Sequence, residues 1–384
     1  MNKSPFKTNP LLNLIYNSLI VFPIPLNINM WWNFGSILGL NLMIQIISGL
    51  LLSMHYCPNT NLAFYSVIHM IQDVENGWML RNLHMNGASF FFFFMYIHMA
   101  RGIYYYSFKM LRTWIVGVMI YLLSMMTAFV GYILPWGQMS LWGATVITNL
   151  LSTIPYMGMM LVNWLWGGFS VDNPTLNRFY SFHFILPFII MFLVGIHLFF
   201  LHEKGSSNPL GSWSDLSKIP FHIYFTLKDI IGFLLFMFTL MMVCLLKPYM
   251  FLDPENFIEA NPMITPKHIQ PEWYFLFAYA ILRTIPSKFG GVLGLLMSIM
   301  IMGIFPFYNN SKMMSFVFYP MSQYFYWLFI SSFIMLTWSG GKPIEYPYFQ
   351  ISVIYAMLYF LFFFSFNESM KMWDKMMIEV SKMI

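Results

Sequence analysis

Eight apolar stretches, each long enough to cross a lipid bilayer as an α-helix, dominate this sequence of 384 residues. A membrane-spanning helix needs about 20 mainly apolar residues. The predicted spans are residues 33–54, 77–105, 113–133, 174–202, 226–246, 289–308, 321–339 and 348–367. Charged residues make up only 9% of the chain, whereas soluble domains carry roughly 25%. We therefore expect an all-α integral membrane protein with eight transmembrane helices.

Charge placement orients these spans. With the N-terminus on the inner side, the inner segments hold 12 basic and 6 acidic residues, and the outer segments hold 7 basic and 8 acidic residues. The positive-inside rule favours this topology. Two shorter Trp-rich stretches, 138–149 and 157–166, are predicted to lie on the membrane surface. The N-terminus shows neither a cleavable signal nor a transit pattern, so we expect synthesis inside an organelle or a bacterium.

Four histidines share one interval on the second and fourth spans. His84 and His98 are 14 residues apart, and so are His183 and His197. On a helix, 14 residues advance about 21 Å and return to within roughly 40° of the same direction. Because these two spans run in the same direction, His84 is expected at the depth of His183, nearer the outer side. His98 is expected at the depth of His197, nearer the inner side.

Glycines repeat this interval on the first and third spans. Gly35 and Gly49 are 14 residues apart, as are Gly117 and Gly131. These spans run opposite to the histidine spans, so Gly35 and Gly117 share the inner layer. Gly49 and Gly131 share the outer layer. Because glycine lets a flat macrocycle approach the backbone, the first four spans are predicted to form a four-helix bundle around two haems.

Simpler interpretations exist for each of these residues taken alone. A single histidine in a membrane is more often a core residue or part of a proton relay, and a single glycine more often a helix contact. The interval shared by four helices favours the haems. Two histidines fill both axial positions of an iron, which leaves electron transfer as the chemistry. Arg81 and Arg101 are candidates to bind haem propionates, with snorkelling to the interface as the alternative.

Three stretches resemble cytochrome b of the mitochondrial and bacterial bc1 complex, the ubiquinol–cytochrome c reductase. They are residues 131–150 (GYILPWGQMSLWGATVITNL), 164–172 (WLWGGFSVD) and 253–292, which includes the tetrapeptide PEWY at 271–274. The resemblance runs over about residues 30–310 and implies two domains. Residues 1–210 would form the two-haem bundle, and residues 211–384 a membrane region carrying the PEWY loop. The departures from close relatives are Ala100, Pro174, Lys204, Ile223 and Glu259, none of which replaces a predicted ligand.

The resemblance also implies two quinone sites. The outer, quinol-oxidation site would be lined by Phe129, Tyr132, Gly143, Ile147, Pro271, Glu272, Tyr274 and Tyr279. Glu272 would accept a proton there, because an apolar pocket raises the pKa of a carboxyl group; a solvated loop acid is the alternative. The inner, quinone-reduction site would be lined by Trp32, Asn33, Ser36, His202, Lys228 and Asp229. His202 and Asp229 are the titratable groups suited to proton transfer at this site.

The implied function is a quinone cycle that generates a proton gradient across the mitochondrial inner membrane. Quinol gives one electron to a Rieske iron–sulfur protein, and the other crosses from the outer to the inner haem b and reduces quinone. Ubiquinol and ubiquinone would be the substrates. The implied partners are the Rieske protein, cytochrome c1, other bc1 subunits, membrane lipid and a second copy of the complex, with no nucleic acid.

Two other functions remain open from the residues alone. A transmembrane reductase with two haems would fit the histidines, but it would not need PEWY or the His202 and Asp229 pair. A proton-coupled transporter would use the histidines as a relay, but the glycines at the same interval would then have no purpose.

Overall fold

The computed structural model describes residues 9–308 and 311–383 and is mainly helical in those residues. Lys3 and Lys7, which contribute to the inner charge count, lie outside the described residues, as do the start of the first predicted domain (residues 1–8) and the last residue of the second, residue 384. The helices are α1 (Pro10–Ile15), α2 (Phe34–Ser53), α3 (Ala63–Gln72), α4 (Gly77–Tyr104), α5 (Leu111–Ile133), α6 (Gln138–Asn149), α7 (Gly158–Trp166), α8 (Asn173–Lys204), α9 (Tyr224–Leu246), α10 (Leu276–Thr284), α11 (Lys288–Met300), α12 (Pro320–Gly340) and α13 (Tyr348–Met383). A 3₁₀ segment, Ile301–Phe307, continues α11.

The all-α class is confirmed, and long helices stand at the predicted spans. Among the described residues, six helices are both long and apolar enough to cross a membrane. They are Met30–Ser53, Leu111–Ile133, Asn173–Lys204, Tyr224–Leu246, Lys288–Phe307 and Tyr348–Lys382. The helices α4 and α12 match the second and seventh predicted spans in length. Polar residues such as Asn82 in α4 and Ser331 in α12 lower their mean hydropathy, so the count of eight spans stays a prediction.

The first four predicted spans pack into a four-helix bundle. Helix α2 lies along α4, α5 lies along α8, and α2 also contacts α8. Helix α9 then packs on α2 and α4, and a second group of helices is formed by α10, α11, α12 and α13. A large apolar core joins α4 and α5 to this second group. The bundle thus brings the histidine helices and the glycine helices face to face.

Local sequence signals fix the start of α8, the helix that carries His183. Asp172 accepts a hydrogen bond from the backbone N–H of Asn173 at 2.7 Å. Asp172 and Thr175 also form a capping box, in which each side chain bonds to the other's backbone. Such caps satisfy N–H groups that have no partner within the helix. The cap therefore fixes the residue at which α8 begins, and with it the positions of His183 and His197 along the helix.

The structure differs from the sequence-based expectation at several elements. Helix α13 continues to Met383 rather than ending near residue 367. Its last turns are charged but contain neither glycine nor proline, so the apolar stretch ends near residue 367 while the helix continues. The short helices α1, α3 and α10 were not predicted. Neither was the two-stranded sheet of β1 (Pro23–Pro25) and β2 (Lys218–Pro220), which ties the N-terminal segment to the loop before α9.

Candidate functional site

The histidines of α4 and α8 face each other in two pairs. The ring centres of His84 and His183 lie 6.0 Å apart. Those of His98 and His197 lie 6.4 Å apart. Two imidazoles that bind the same metal ion from opposite sides, each at about 2 Å, have ring centres roughly 6 Å apart. The spacing within each pair therefore fits a single iron held between two axial histidines.

Each of the four glycines faces one of the four histidine rings from a neighbouring helix. A Cβ atom added at Gly49 would lie 2.9 Å from Cε1 of His84, and one added at Gly35 would lie 3.3 Å from Cε1 of His98. Gly117 faces His197 in the same way, at 3.2 Å. A Cβ atom at Gly131 would lie closer still to the ring of His183. All four glycines therefore sit in the layers predicted from their spacing, and they leave room for the rings.

The outer histidine pair opens into a cavity of about 250 Å³. Gly49, Gly131 and Arg81 line it with both rings, among mostly apolar side chains. The Nδ1 atom of His84 lies 3.0 Å from the hydroxyl of Ser48. The Nδ1 atom of His183 lies 2.9 Å from the carbonyl oxygen of Thr127. A histidine that binds metal through one nitrogen commonly uses the other for such a contact, so both Nε2 atoms are available to a ligand.

Arg101 stands beside the inner pair. One of its guanidinium nitrogens lies 3.2 Å from Nδ1 of His98, and the guanidinium lies 5.2 Å from the ring centre of Trp32. Its Nε atom is buried and has no hydrogen-bond partner among the described residues. A buried cationic donor without a partner is costly unless an anion pairs with it. This position therefore suits a carboxylate such as a haem propionate.

A second, smaller cavity of about 30 Å³ lies between the end of α5, α6 and the 269–279 segment. The predicted residues that line it are Phe129, Tyr132, Gly143, Ile147, Pro271, Glu272 and Tyr279. Tyr274 does not line this cavity. Its ring stacks on Phe92 at 4.2 Å, and it lines the cavity of the outer histidine pair instead. Tyr132 and Glu272 line both cavities and so form the wall between them.

Glu272 is the electrostatically unusual group of this wall. Its side chain is 9% exposed. Desolvation by burial raises the pKa of Glu272 to about 7, and this effect exceeds the lowering by the Tyr132 hydrogen bond. Asp253 raises the same pKa, whereas Arg81 lowers it. Glu272 is therefore poised to take up or release a proton near neutral pH.

A polar cluster joins the start of α2 to the start of α9. Asp229 accepts hydrogen bonds from the Ser36 hydroxyl at 2.8 Å and from the Asn33 amide at 3.1 Å. The indole N–H of Trp32 is buried and has no partner among the described residues. His202, by contrast, stacks on Phe22 with ring centres 4.1 Å apart.

Lys228, the remaining residue of the predicted inner site, is exposed, and its amine donates to the carbonyl oxygen of Ile28 at 3.3 Å. The structure thus assembles Asn33, Ser36 and Asp229. His202 and Lys228 contact Phe22 and Ile28 instead.

Sequence reasoning missed the groups that hold the outer histidines. Ser48 directly precedes Gly49, so its position next to a predicted glycine was an available signal. The carbonyl of Thr127 gives no signal in a sequence, because every residue type has one.

Two family models match separate parts of this chain. A family model described as "Cytochrome b/b6/petB" matches residues 19–205. A second, described as "Cytochrome b(C-terminal)/b6/petD", matches residues 259–360. A curated protein named "Cytochrome b", from Apis mellifera ligustica, is 56% identical over 371 residues, which cover 97% of this chain and 96% of that protein. A chain of the solved structure "Hyperthermophilic respiratory Complex III" is 33% identical, with a TM-score of 0.90, and the match covers 96% of this chain and 98% of that one.

Proposed function

The chain belongs to the cytochrome b family, and on that premise we propose that it is the quinol-oxidising and quinone-reducing subunit of a ubiquinol–cytochrome c reductase. It would span a mitochondrial inner membrane with eight helices. Its partners in such a complex would be a Rieske iron–sulfur protein, cytochrome c1 and a second copy of the assembly. The resemblance to a respiratory complex III chain supports this placement.

Two haems b would be held in the bundle. His84 and His183 would hold the outer one, and His98 and His197 the inner one. A haem with two axial imidazoles supplies one-electron transfer and offers no open position to a substrate. The four glycines keep space beside the rings, and Ser48 and the Thr127 carbonyl orient the outer imidazoles. Arg101 supplies a positive charge to an anionic group at the inner pair.

Quinol oxidation is assigned to the small cavity beside the PEWY segment. Oxidation of a quinol releases protons, and Glu272 is the carboxylate in the cavity wall. Its pKa of about 7 lets it accept a proton near neutral pH without holding it too tightly to release. Because Glu272 also faces the outer histidine cavity, it can carry that proton away from the substrate. Tyr132 lies in the same wall as Glu272 and interacts with its carboxyl group.

Quinone reduction is assigned to the inner polar cluster. Asp229 is held by Ser36 and Asn33 at the start of α2, at the end of the bundle where His98 and Arg101 lie. Quinone reduction consumes protons, which Asp229 can deliver. The indole N–H of Trp32 is a donor suited to a quinone carbonyl. His202 would join the site on binding of the quinone, by leaving its stacking contact with Phe22.

The observation that carries this proposal is the pair of histidine contacts at 6.0 and 6.4 Å, each flanked by glycine. A visible difference spectrum, dithionite-reduced minus oxidised, with a stepwise redox titration of the purified complex tests it. Two b-type haems of distinct potential per chain are expected. His98→Leu should remove the inner one, whereas His69→Leu, a matched change at an exposed histidine, should keep both. A wild-type spectrum without haem b would overturn the proposal and favour a transporter with a histidine relay.

A further inference from the structure

One face of α4 contacts the PEWY segment in three ways. Ser89, Phe92 and Tyr96 are spaced three and four residues apart, so they project from the same side of the helix. The indole N–H of Trp273 donates to the Ser89 hydroxyl at 3.2 Å. The Phe92 ring stacks on Tyr274 with an interplanar angle of 7°. The Tyr96 hydroxyl donates to the backbone carbonyl of Tyr274.

The contact between Tyr96 and Tyr274 is itself supported from α5. Tyr121 is 2% exposed, its ring centre lies 6.1 Å from that of Tyr96, and the two hydroxyl groups interact. The Tyr96 ring packs on Phe333, with ring centres 4.9 Å apart. A chain of two hydroxyl groups thus runs from α5 through α4 to the PEWY backbone. Because an unpaired carbonyl in a buried place is costly, this chain favours one position of residue 274.

The position of residue 274 bears directly on Glu272, which lies two residues earlier in the same segment. The groups that face the Glu272 carboxyl are Tyr132 on α5, Arg81 on α4, and Asp253 in the loop after α9. Tyr279 and Asp253 hold the start of the segment, at Ile269 and Gln270. After Glu272, the backbone carbonyl of Tyr274 is held by Tyr96 of α4.

We propose that Ser89, Phe92, Tyr96 and Tyr121 are positioning residues for the quinol-oxidation site, holding the PEWY backbone so that the Glu272 carboxyl stays beside Tyr132. The inference rests on the proposed function. It assigns to α4, the helix that carries His84 and His98, the further task of fixing the proton acceptor. The two tasks share one rigid element, so the distance from carboxyl to outer histidine pair is set by the helix itself.

Tyr96→Phe in the intact complex tests this inference, because it removes one hydroxyl and keeps the ring. We expect quinol oxidation to slow about tenfold, since misplacement of a catalytic group is penalised steeply. The loosened segment should admit water at Glu272, so the rise of the rate with pH should move to lower pH. The spectra of both haems should be unchanged.

The matched control is Tyr326→Phe. The hydroxyl of Tyr326 also donates to an α4 carbonyl, that of Ala100, at 3.2 Å, but at the inner end of the helix. Its loss should leave the rate and the pH profile of quinol oxidation as in the wild type.

Two further variants keep the inference open to refutation if Tyr96→Phe does not assemble. Ser89→Ala and Tyr121→Phe should shift the pH profile in the same direction, by less. A wild-type pH profile in Tyr96→Phe, or equal slowing in Tyr96→Phe and Tyr326→Phe without a shift in pH profile, would overturn the inference. Failure of the proposed function itself would show separately, as a wild-type complex that oxidises no quinol.

Discussion

Alanine at Gly49 should remove the outer haem, and the same helix carries two controls for this prediction. Three glycines of α2 meet very different surroundings. A Cβ atom at Gly49 would lie 2.9 Å from the His84 ring, one at Gly35 would lie 3.3 Å from the His98 ring, and one at Gly39 would meet nothing within 4 Å. The three variants therefore make the same chemical change in one helix at three levels of crowding.

The expected magnitudes follow from these distances. Ordinary van der Waals contacts of a Cβ atom begin at 3.4 Å, so His84 must retreat by about 0.5 Å in Gly49→Ala, and His98 by about 0.1 Å in Gly35→Ala. In well-formed sites, metal–ligand distances stay within about 0.2 Å of their usual values. The axial bond of His84 should therefore break, whereas that of His98 should survive. Overpacking of this kind also costs roughly 1–3 kcal/mol of stability.

Haem content per chain and the reduced-minus-oxidised spectrum measure the outcome. We expect one haem b in Gly49→Ala, with the outer component missing from the redox titration. Gly35→Ala should keep two haems, with a small change in the inner component, and Gly39→Ala should match the wild type. Two haems with an unchanged outer component in Gly49→Ala would refute the reasoning, because the His84 ring would then have more space beside residue 49 than the structure shows.

Four further predictions concern proton transfer, charge and helix capping. The rate of quinol oxidation should rise with pH through about 7, because Glu272 accepts a proton only when ionised and its pKa is raised to about 7. In Glu272→Gln, measured by steady-state assay across pH, that rise should disappear and the rate should fall roughly 100-fold. Asp229→Asn should slow quinone reduction at the inner side about tenfold or more, measured as delayed reoxidation of the inner haem, while reduction of the outer haem by quinol proceeds normally. Arg101→Leu should lower the redox potential of the inner haem, because a nearby cation favours the extra electron, whereas Arg112→Leu, at an exposed ion pair with Glu203, should leave it unchanged. Asp172→Ala should cost about 1 kcal/mol through loss of the α8 cap, seen as a lower midpoint of thermal unfolding with both haem spectra retained.

The sequence predicted the positions of the long helices because apolarity and helix length depend on local composition alone. The helix at 138–149 was predicted with the bounds that α6 has, since the stretch is amphipathic and too short to cross a membrane. Helix α3 was missed because its ten residues are too short for a span. The charged end of α13 was missed because a search for apolar spans stops where charges begin.

Site residues divide in a similar way. The pairing of His84 with His183 could be predicted because one interval on four helices fixes both depth and direction. The position of Tyr274 could not, because its ring orientation depends on stacking against Phe92, a contact between segments 182 residues apart. The same holds for His202, whose stacking on Phe22 depends on how the N-terminal segment folds back along the sheet of β1 and β2.

The two cavities of the outer side differ in a way that bears on how a quinol enters. The cavity of the outer histidine pair has about 250 Å³, whereas the one beside PEWY has about 30 Å³, far below the roughly 300–1,000 Å³ of typical ligand pockets. A quinol ring therefore enters only if part of the wall moves. One side of that wall belongs to α5 and α6, whose backbone hydrogen bonds are satisfied within each helix. The other side is the 269–275 segment, in which α4 holds residues 273 and 274 and single side-chain hydrogen bonds hold Ile269 and Gln270. The stretch 269–271 is thus the part that yields to a quinol, while the α4 contacts keep Glu272 beside Tyr132.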